Sequence, residues 1–243
     1  MQALQGLHLI GLSLDDWQSE VIHAPERYLA LCCARQVGKT TVVQLLAASE
    51  LLGGPDRLVL ISGPSRAHSQ RLVEGAKQIV LSVCGAHEIE HDTQLTLKLS
   101  NGSRIVAIPG DSTSVRGWSA PSMVVVDEAA YVTAELLHAL WPMTAVSGGR
   151  FVLLSSPSTK QSEFYRLWSE TNTLRKWRVT AHDCPRIPPE EIEQARRLLP
   201  PEQFAREFMA EWSDAEASVF DVDAIRRCFR GDYELLFPAG VLP

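Results

Sequence analysis

Lys39 and Thr40 follow a glycine at the end of the segment Cys33-Ala34-Arg35-Gln36-Val37-Gly38-Lys39-Thr40. Those residue types in that order suit a triphosphate. A glycine lets bare backbone approach phosphate oxygens, so that N–H groups and a helix N-terminus can cradle them. The lysine can reach the β- and γ-phosphates, and the threonine hydroxyl can serve Mg²⁺. The usual pattern opens with glycine, and Cys33 stands in that place here. Taken alone, the segment is matched by a plainer account, a helix starting after a buried strand. A second pair of groups changes the balance. Asp127 and Glu128 close the run Ser122-Met123-Val124-Val125-Val126, 88 residues beyond Lys39. The first acid can hold Mg²⁺ and the second can polarise an attacking water. Their competitor, a strand ending in a solvated acidic turn, loses ground once both segments occur in this order. Together they point to ATP hydrolysis with Mg²⁺. The nucleotide is expected against Cys33, Ala34, Arg35, Gln36, Val37, Gly38, Lys39, Thr40 and Thr41, and the metal on Thr40 and Asp127.

Such groups must be delivered to one place by a rigid scaffold. Residues 28–32 form an apolar run that feeds the loop, and residues 123–126 read as a strand buried on both faces, as in a parallel sheet. Asp127 then lies at a carboxyl end, where open α/β sheets bind ligands. Residues 41–48 predict a helix that stops near Gly53-Gly54-Pro55, residues 57–62 a strand, and the stretch through Val83 another helix. Residues 95–99 and 104–108 alternate about Asn101-Gly102, a hairpin signal. A helix over 134–140, a strand over 151–156 and a short last strand over 177–180 complete the series. The fold class is α/β, a three-layer P-loop NTPase of the ASCE/RecA-like kind with a mostly parallel sheet. From Cys184 onward prolines punctuate short charged helices, over 190–199 and 203–212. The expected organisation is a core over 1–184 and a small helical lid or linker over 185–243, with Trp212, Phe220, Phe229, Tyr233 and Phe237 packing back or facing a partner.

Composition bounds the remaining possibilities. The chain has 243 residues, 45% of them hydrophobic, enough for one large core. Its net charge of −6 carries no global basic field, which leaves local patches for any nucleic acid. Five cysteines without a CxxC pair read as free thiols, with Cys32 and Cys33 packed beneath the loop. His87 and His91 have helical spacing without a further ligand and read as solvated loop residues. No signal peptide or membrane-length apolar stretch is seen, so a soluble chain is expected.

The segments in combination resemble the large terminase subunits of phages, the motors that drive DNA into capsids. Their loop carries Arg-Gln before x-Gly-Lys-Thr/Ser and often lacks the first glycine, as residues 33–40 do. Asp16-Trp17-Gln18 resembles their adenine-reading glutamine motif, Ser114-Val115-Arg116-Gly117 their arginine-bearing loop, and Leu153-Leu154-Ser155-Ser156-Pro157 their coupling motif. The likeness spans about residues 15 to 215. It implies an ATPase that packages double-stranded DNA, with portal and small terminase subunit as partners, a homo-oligomeric ring when assembled, a monomer in isolation, and the host cytoplasm as location. Full-length members continue into a nuclease domain; this chain ends at Pro243, and the expectation is an ATPase module without one.

Roles follow from that resemblance and from the chemistry. Lys39 neutralises phosphate charge, Glu128 orients or deprotonates the lytic water, and Gln18 bonds the adenine edge. Ser155 and Ser156 couple γ-phosphate loss to lid movement. Arg116 is the expected finger, acting on a neighbouring subunit's site; Arg35 acts in cis as a sensor or braces the loop through carboxylates. Surface ion pairs remain the plain alternative for both arginines. DNA phosphates could meet Arg66 and Arg71 after the second strand, or Lys98 and Arg104 on the hairpin, all of which also read as ordinary surface residues. Two other functions stay open at this level: a helicase-like or other DNA-remodelling ATPase, and a nucleotide-gated assembly module with little turnover.

Overall fold

The computed structural model describes residues 13–84, 88–108 and 114–214, and the side chains of Ser114 and Arg116 lie outside that description. His87, Phe220, Cys228, Phe229, Tyr233 and Phe237 also fall outside the described residues.

The fold follows from strands that are apolar at every position. β1 (Tyr28–Cys33), β2 (Leu58–Ser62), β6 (Met123–Asp127) and β7 (Arg150–Ser155) are buried almost throughout. Successive side chains on a strand point to opposite faces, so continuous burial requires a cover on both. Leu29 and Leu31 of β1 belong to one apolar cluster, with Val42, Val43 and Leu72; Ala30 belongs to the other, with Leu136, Leu137 and Phe164. The first cluster is covered by α1 (Asp16–His23), α2 (Lys39–Leu52) and α3 (Arg66–Cys84), and the second by α4 (Ala134–Leu140) and α5 (Glu163–Glu170). The result is the three-layer α/β sandwich anticipated from the sequence.

With β3 (Ile89–Asp92), β4 (Thr96–Leu99), β5 (Arg104–Ala107) and β8 (Arg175–Val179), the sheet has eight strands in the order β3-β4-β5-β2-β6-β7-β1-β8. From β5 to β8 all neighbours are parallel; β4 runs antiparallel to β5, and β3 to β4. β7 lies between β1 and β6, pairing Leu154 with both Leu31 and Asp127. The carboxyl ends of β1, β7 and β6 therefore open side by side at one edge of the sheet.

Four details depart from the sequence expectation. The hairpin gains β3, a polar edge strand with three of its four residues exposed and no apolar alternation to announce it. α5 was not anticipated, although Ser162 caps it by accepting from Tyr165 N at 3.2 Å. The last strand begins at Arg175, because its polar residues sit on an exposed sheet edge. α7 (Pro201–Met209) ends three residues before Trp212, closed by Ala210 in the left-handed region at φ 52°. Trp212 instead packs on Phe164 and Tyr165 of α5, at centroid distances of 5.5 and 5.1 Å.

After β8 the chain forms α6 (Pro189–Leu198) and α7, each opened by proline at its first turn. Ile192 and Phe204 of this pair bury against Ala181, and Ile187 touches both this small cluster and the main core.

Candidate functional site

The loop between β1 and α2 turns on two residues with positive φ, Gln36 at 59° and Gly38 at 97°. Cys33 is not one of them. It ends β1 as a fully buried residue, paired with Val179 of β8, so the place usually held by glycine needs no glycine here. Burial pushes the Cys32 thiol up to about 12 and the Cys33 thiol higher still, with Lys39 opposing the shift in both. Both are packing groups. Gly38 is needed for a second reason beyond φ: a Cβ there would stand 2.5 Å from Gln18 Nε2 and 3.1 Å from Arg186 Nη2.

Lys39 opens α2 and turns back across the loop. Its Nζ donates to Ser156 Oγ at 2.5 Å and to the Ala34 carbonyl at 3.4 Å, and lies 3.9 Å from Glu128 Oε1. Glu128 follows β6 in the left-handed region at φ 52°, ψ 45°. For a non-glycine residue this is an uncommon conformation that surrounding contacts must hold. They do: Glu128 Oε2 accepts from Ser155 Oγ at 3.0 Å and from Ser156 N at 3.3 Å. Lys39, Glu128, Ser155 and Ser156 thus form one connected group at the carboxyl ends of β1, β6 and β7.

Asp127 is only 2% exposed. Its Oδ1 accepts from Glu128 N at 2.9 Å, and its Oδ2 accepts from His68 Nε2 at 2.7 Å. The hydrogen bond to Asp127 raises the His68 pKa against the opposing effect of burial. Thr40 and Arg35 are exposed, Thr41 half-buried and Gln36 exposed on the loop's crest.

Gln18 sits beneath the loop. Its Oε1 accepts from Asp15 N at 3.0 Å and its Nε2 donates to the Gly38 carbonyl at 3.2 Å. Both ends of the carboxamide assigned to adenine are therefore engaged with main chain. Arg186 completes a brace, donating to Asp15 Oδ1 at 2.6 Å and to the Val37 carbonyl at 3.0 Å. Beside it opens a cavity of about 690 Å³ between α1 and β8, lined by Asp15, Trp17, Trp177, Arg178, His182 and Arg186. That volume suits a small organic ligand.

Arg35 is held from the opposite side. Its backbone N donates to the Glu207 carbonyl at 2.8 Å, and its Nε lies 2.6 Å from Glu207 Oε2. Arg35 thus meets a carboxylate, a contact that a brace of the loop and a plain surface ion pair would both make. Ser114–Gly117 forms a 3₁₀ turn with Val115 buried, and the side chain of Arg116 lies outside the described residues.

The four basic residues considered for DNA divide. Arg66 starts α3, just past the carboxyl end of β2, and is exposed, as is Arg71. Lys98 and Arg104 oppose each other across β4 and β5; Lys98 pairs with Glu90 at 2.6 Å and Arg104 lies over the Trp118 ring at 5.3 Å. Arg104 opens a strand parallel to β2, so it stands at the end of the sheet away from Asp127.

His68, Asp15, Arg186 and Glu207 were missed by sequence reasoning. His68, Arg186 and Glu207 fall in no short motif and meet their partners only through the fold, whereas Asp15 stands three residues before Gln18 in a capping box whose spacing the sequence does show.

Comparison with known proteins agrees with this fold. The model of the terminase large subunit, T4likevirus-type, N-terminal family matches residues 31–227. The large terminase subunit of Escherichia phage T5 is 26% identical over 227 residues, covering 87% of this chain and 50% of the relative. The chain thus spans half the length of that curated relative. Among solved structures, the large terminase ATPase domain of Thermus phage P74-26 aligns with a TM-score of 0.73 at 17% identity, over 85% of this chain and 96% of that one. The large terminase of HK97 bacteriophage aligns with a TM-score of 0.67 at 15% identity, over 83% of this chain and 51% of that one. The order of the phosphate loop, the acidic pair and the serine pair, the sheet that gathers them and the family match lead to one conclusion: this chain belongs to the terminase large subunit family and corresponds to its N-terminal region.

Proposed function

We propose that the chain is the Mg²⁺-dependent ATP-hydrolysing part of a phage DNA-packaging motor. The observation that carries this reading is Glu128. A carboxylate held in a left-handed backbone, with Oε2 engaged by Ser155 and Ser156 and Oε1 within 3.9 Å of Lys39, is a positioned group with one oxygen left to work. Such positioning is the main protein contribution to phosphoryl transfer. A large terminase of a thermophilic bacteriophage that shares this fold was solved in complex with ADP, with a TM-score of 0.68 at 15% identity.

In this reading the turn through Gln36 and Gly38 presents backbone N–H groups to the phosphates, and Lys39 leaves Ser156 to meet them. Glu128 orients the lytic water and accepts its proton at the carboxylate. Ser155 and Ser156 hold that carboxylate in place and register the loss of phosphate through Lys39. The hard-oxygen pair fits a magnesium ion: Asp127 is a buried carboxylate whose two oxygens each retain an acceptor site, and Thr40 offers an exposed hydroxyl. Mg²⁺ held by those two residues would neutralise charge on the phosphates. Gln18 supports the loop at Gly38, and the base occupies the cavity lined by Trp17 and Trp177. Arg116 serves as the finger for a neighbouring subunit, so full activity requires a ring. Double-stranded DNA, a portal and a small terminase subunit are the partners of the assembled motor, in the host cytoplasm. No helix among the described residues is long and apolar enough to cross a membrane.

The test is turnover against binding. Glu128→Gln should keep fluorescent ATP analogue binding and lose turnover by about 100-fold or more, in line with loss of a general base. Lys39→Ala should lose both. Turnover within tenfold of wild type in Glu128→Gln would overturn the assignment.

A further inference from the structure

We propose that His68 is a positioning residue for the metal-binding carboxylate of Asp127, a role that rests on the nucleotide-binding reading above. Three separate features of the chain converge on that contact. The first is the bond itself. An ionised carboxylate can only accept, so His68 Nε2 is the donor in the 2.7 Å contact with Asp127 Oδ2. Oδ1 is held at the same time by Glu128 N at 2.9 Å. With one donor on each oxygen, the carboxylate plane cannot rotate.

The second feature is the space made for the ring. A Cβ on Gly63 would stand 2.8 Å from His68 Cδ2, closer than a real contact allows. Glycine at the end of β2 is what lets the imidazole lie beside β6, because β2 and β6 are neighbours, paired from Val59 with Met123 to Ser62 with Val126. The third is the turn that aims it. Ser65 Oγ and O accept from His68 N at 3.2 and 3.1 Å, which fixes the first turn of α3. The segment Gly63–Ser65 thus sets both the position of the ring and its approach.

The chemical consequence concerns affinity for a divalent ion. A buried carboxylate free to swivel spends part of its time in orientations that bind no cation. Donors behind a ligating group remove that freedom, and their loss lowers metal affinity by about 10- to 100-fold. His68 is the partner that a side-chain substitution can remove, since the other donor is main chain.

The experiment is a Mn²⁺ titration followed by electron paramagnetic resonance, with saturating ADP, on the whole chain. Binding of fluorescent ADP in excess chelator is measured alongside as a metal-free control. His68→Ala is expected to weaken Mn²⁺ binding by about 10-fold or more, while metal-free ADP binding stays within about twofold. His68→Gln, whose amide can donate from a similar distance, should recover part of the loss. His68→Phe keeps a ring without the donor and should match His68→Ala; it carries the test if the alanine variant does not fold. Unchanged Mn²⁺ affinity in either donorless variant overturns the proposal. So does a gain in affinity, which would mean that the imidazole competes with the ion. If wild type itself binds no Mn²⁺ with ADP, the metal assignment of Thr40 and Asp127 fails along with the role of His68.

Discussion

Arg35 and Glu207 join the loop between β1 and α2 to the last described helix twice, once through backbone and once through side chains. Arg35 N donates to the Glu207 carbonyl at 2.8 Å, and the guanidinium Nε lies 2.6 Å from the carboxylate. The two contacts differ in what they can transmit. The backbone bond survives substitution of either side chain by alanine, whereas the ion pair is partly exposed, with 68% of the Arg35 side chain accessible.

An exposed pair of this kind contributes little to stability, about 1 kcal/mol or less. Glu207→Ala and Arg35→Ala should therefore shift a urea midpoint only slightly. If the pair relays nucleotide state to the lid, each single variant should lower steady-state ATP turnover and the double variant should lower it no further. A double-mutant cycle on kcat decides the matter: additive losses would mean that the two residues act independently.

Ser155 and Ser156 support a sharper expectation, because their partners are charged. Ser155→Ala removes the Oγ donor to Glu128, and Ser156→Ala removes the acceptor for Lys39 while leaving the Ser156 N–H in place. A hydrogen bond to a charged group is worth about 1.5–3 kcal/mol, or on the order of 10- to 100-fold in rate if it is made in the transition state. Ser155→Ala should lower kcat by about that much with little change in nucleotide affinity. A change confined to KM would place the serine in ground-state binding instead.

Cys33 offers a test of packing against chemistry. It is fully buried in regular strand conformation, and its thiol is held well above the usual range. Thiol reagents at pH 8 should leave Cys32 and Cys33 unmodified in the folded chain, as seen by mass spectrometry, because the thiolate is the reactive form. Restoring the customary glycine with Cys33→Gly should not raise activity. It should instead destabilise the fold by about 1–2 kcal/mol, through a lost buried side chain and added freedom in the unfolded chain.

What the sequence revealed and what it hid divide along physical lines. β1, β2, β6 and β7 were legible because continuous apolar runs of strand length suit a sheet covered on both faces, and the loop because glycine, lysine and threonine occur together. α5 carried a readable signal in Ser162 followed by Phe164, Leu167 and Trp168 at helical spacing. β3 carried none, since an exposed edge strand needs no apolar pattern. His68 and Arg186 were hidden for a different reason. Their partners lie 59 and 171 residues away in the chain, and no local periodicity encodes contacts made only when the sheet order is set. Gln18 was found by its motif, but its carboxamide supports the loop at Gly38 O, a geometry that composition and spacing cannot express.

Glu163 provides a pH-dependent prediction that involves none of the candidate site residues. At the start of α5 it pairs with Arg166 and with His138 of α4, and these partners, Arg166 foremost, lower its pKa from 4.5 to about 2. A carboxyl with a depressed folded pKa binds fewer protons than in the unfolded chain between those two values. Stability therefore rises with pH across that interval; the contribution is complete above about 4.5 and is lost as pH falls toward 2. Urea unfolding at pH 6 and pH 3 should show a wild-type advantage over Glu163→Gln that narrows at the lower pH. An advantage equal at both would show that the carboxylate's charge is not what matters.

Gly38 brings the loop, the glutamine and the arginine together in one substitution. At φ 97° an alanine would be strained in backbone, and its Cβ would meet Gln18 Nε2 at 2.5 Å and Arg186 Nη2 at 3.1 Å. Relief requires moving Gln18 off the Gly38 carbonyl and loosening Arg186 from the Val37 carbonyl, which frees the loop at the two points where it is held from below. Gly38→Ala should weaken ATP binding by at least about tenfold, since backbone strain of roughly 1–2 kcal/mol adds to the lost contacts. Arg186→Ala lacks the backbone strain and should give a smaller loss of affinity, with the loop still able to rest on Gln18. Equilibrium binding of a fluorescent ATP analogue to both variants separates the terms. Equal losses in the two would assign the effect to the brace, whereas a loss confined to Gly38→Ala would assign it to the backbone conformation of the loop.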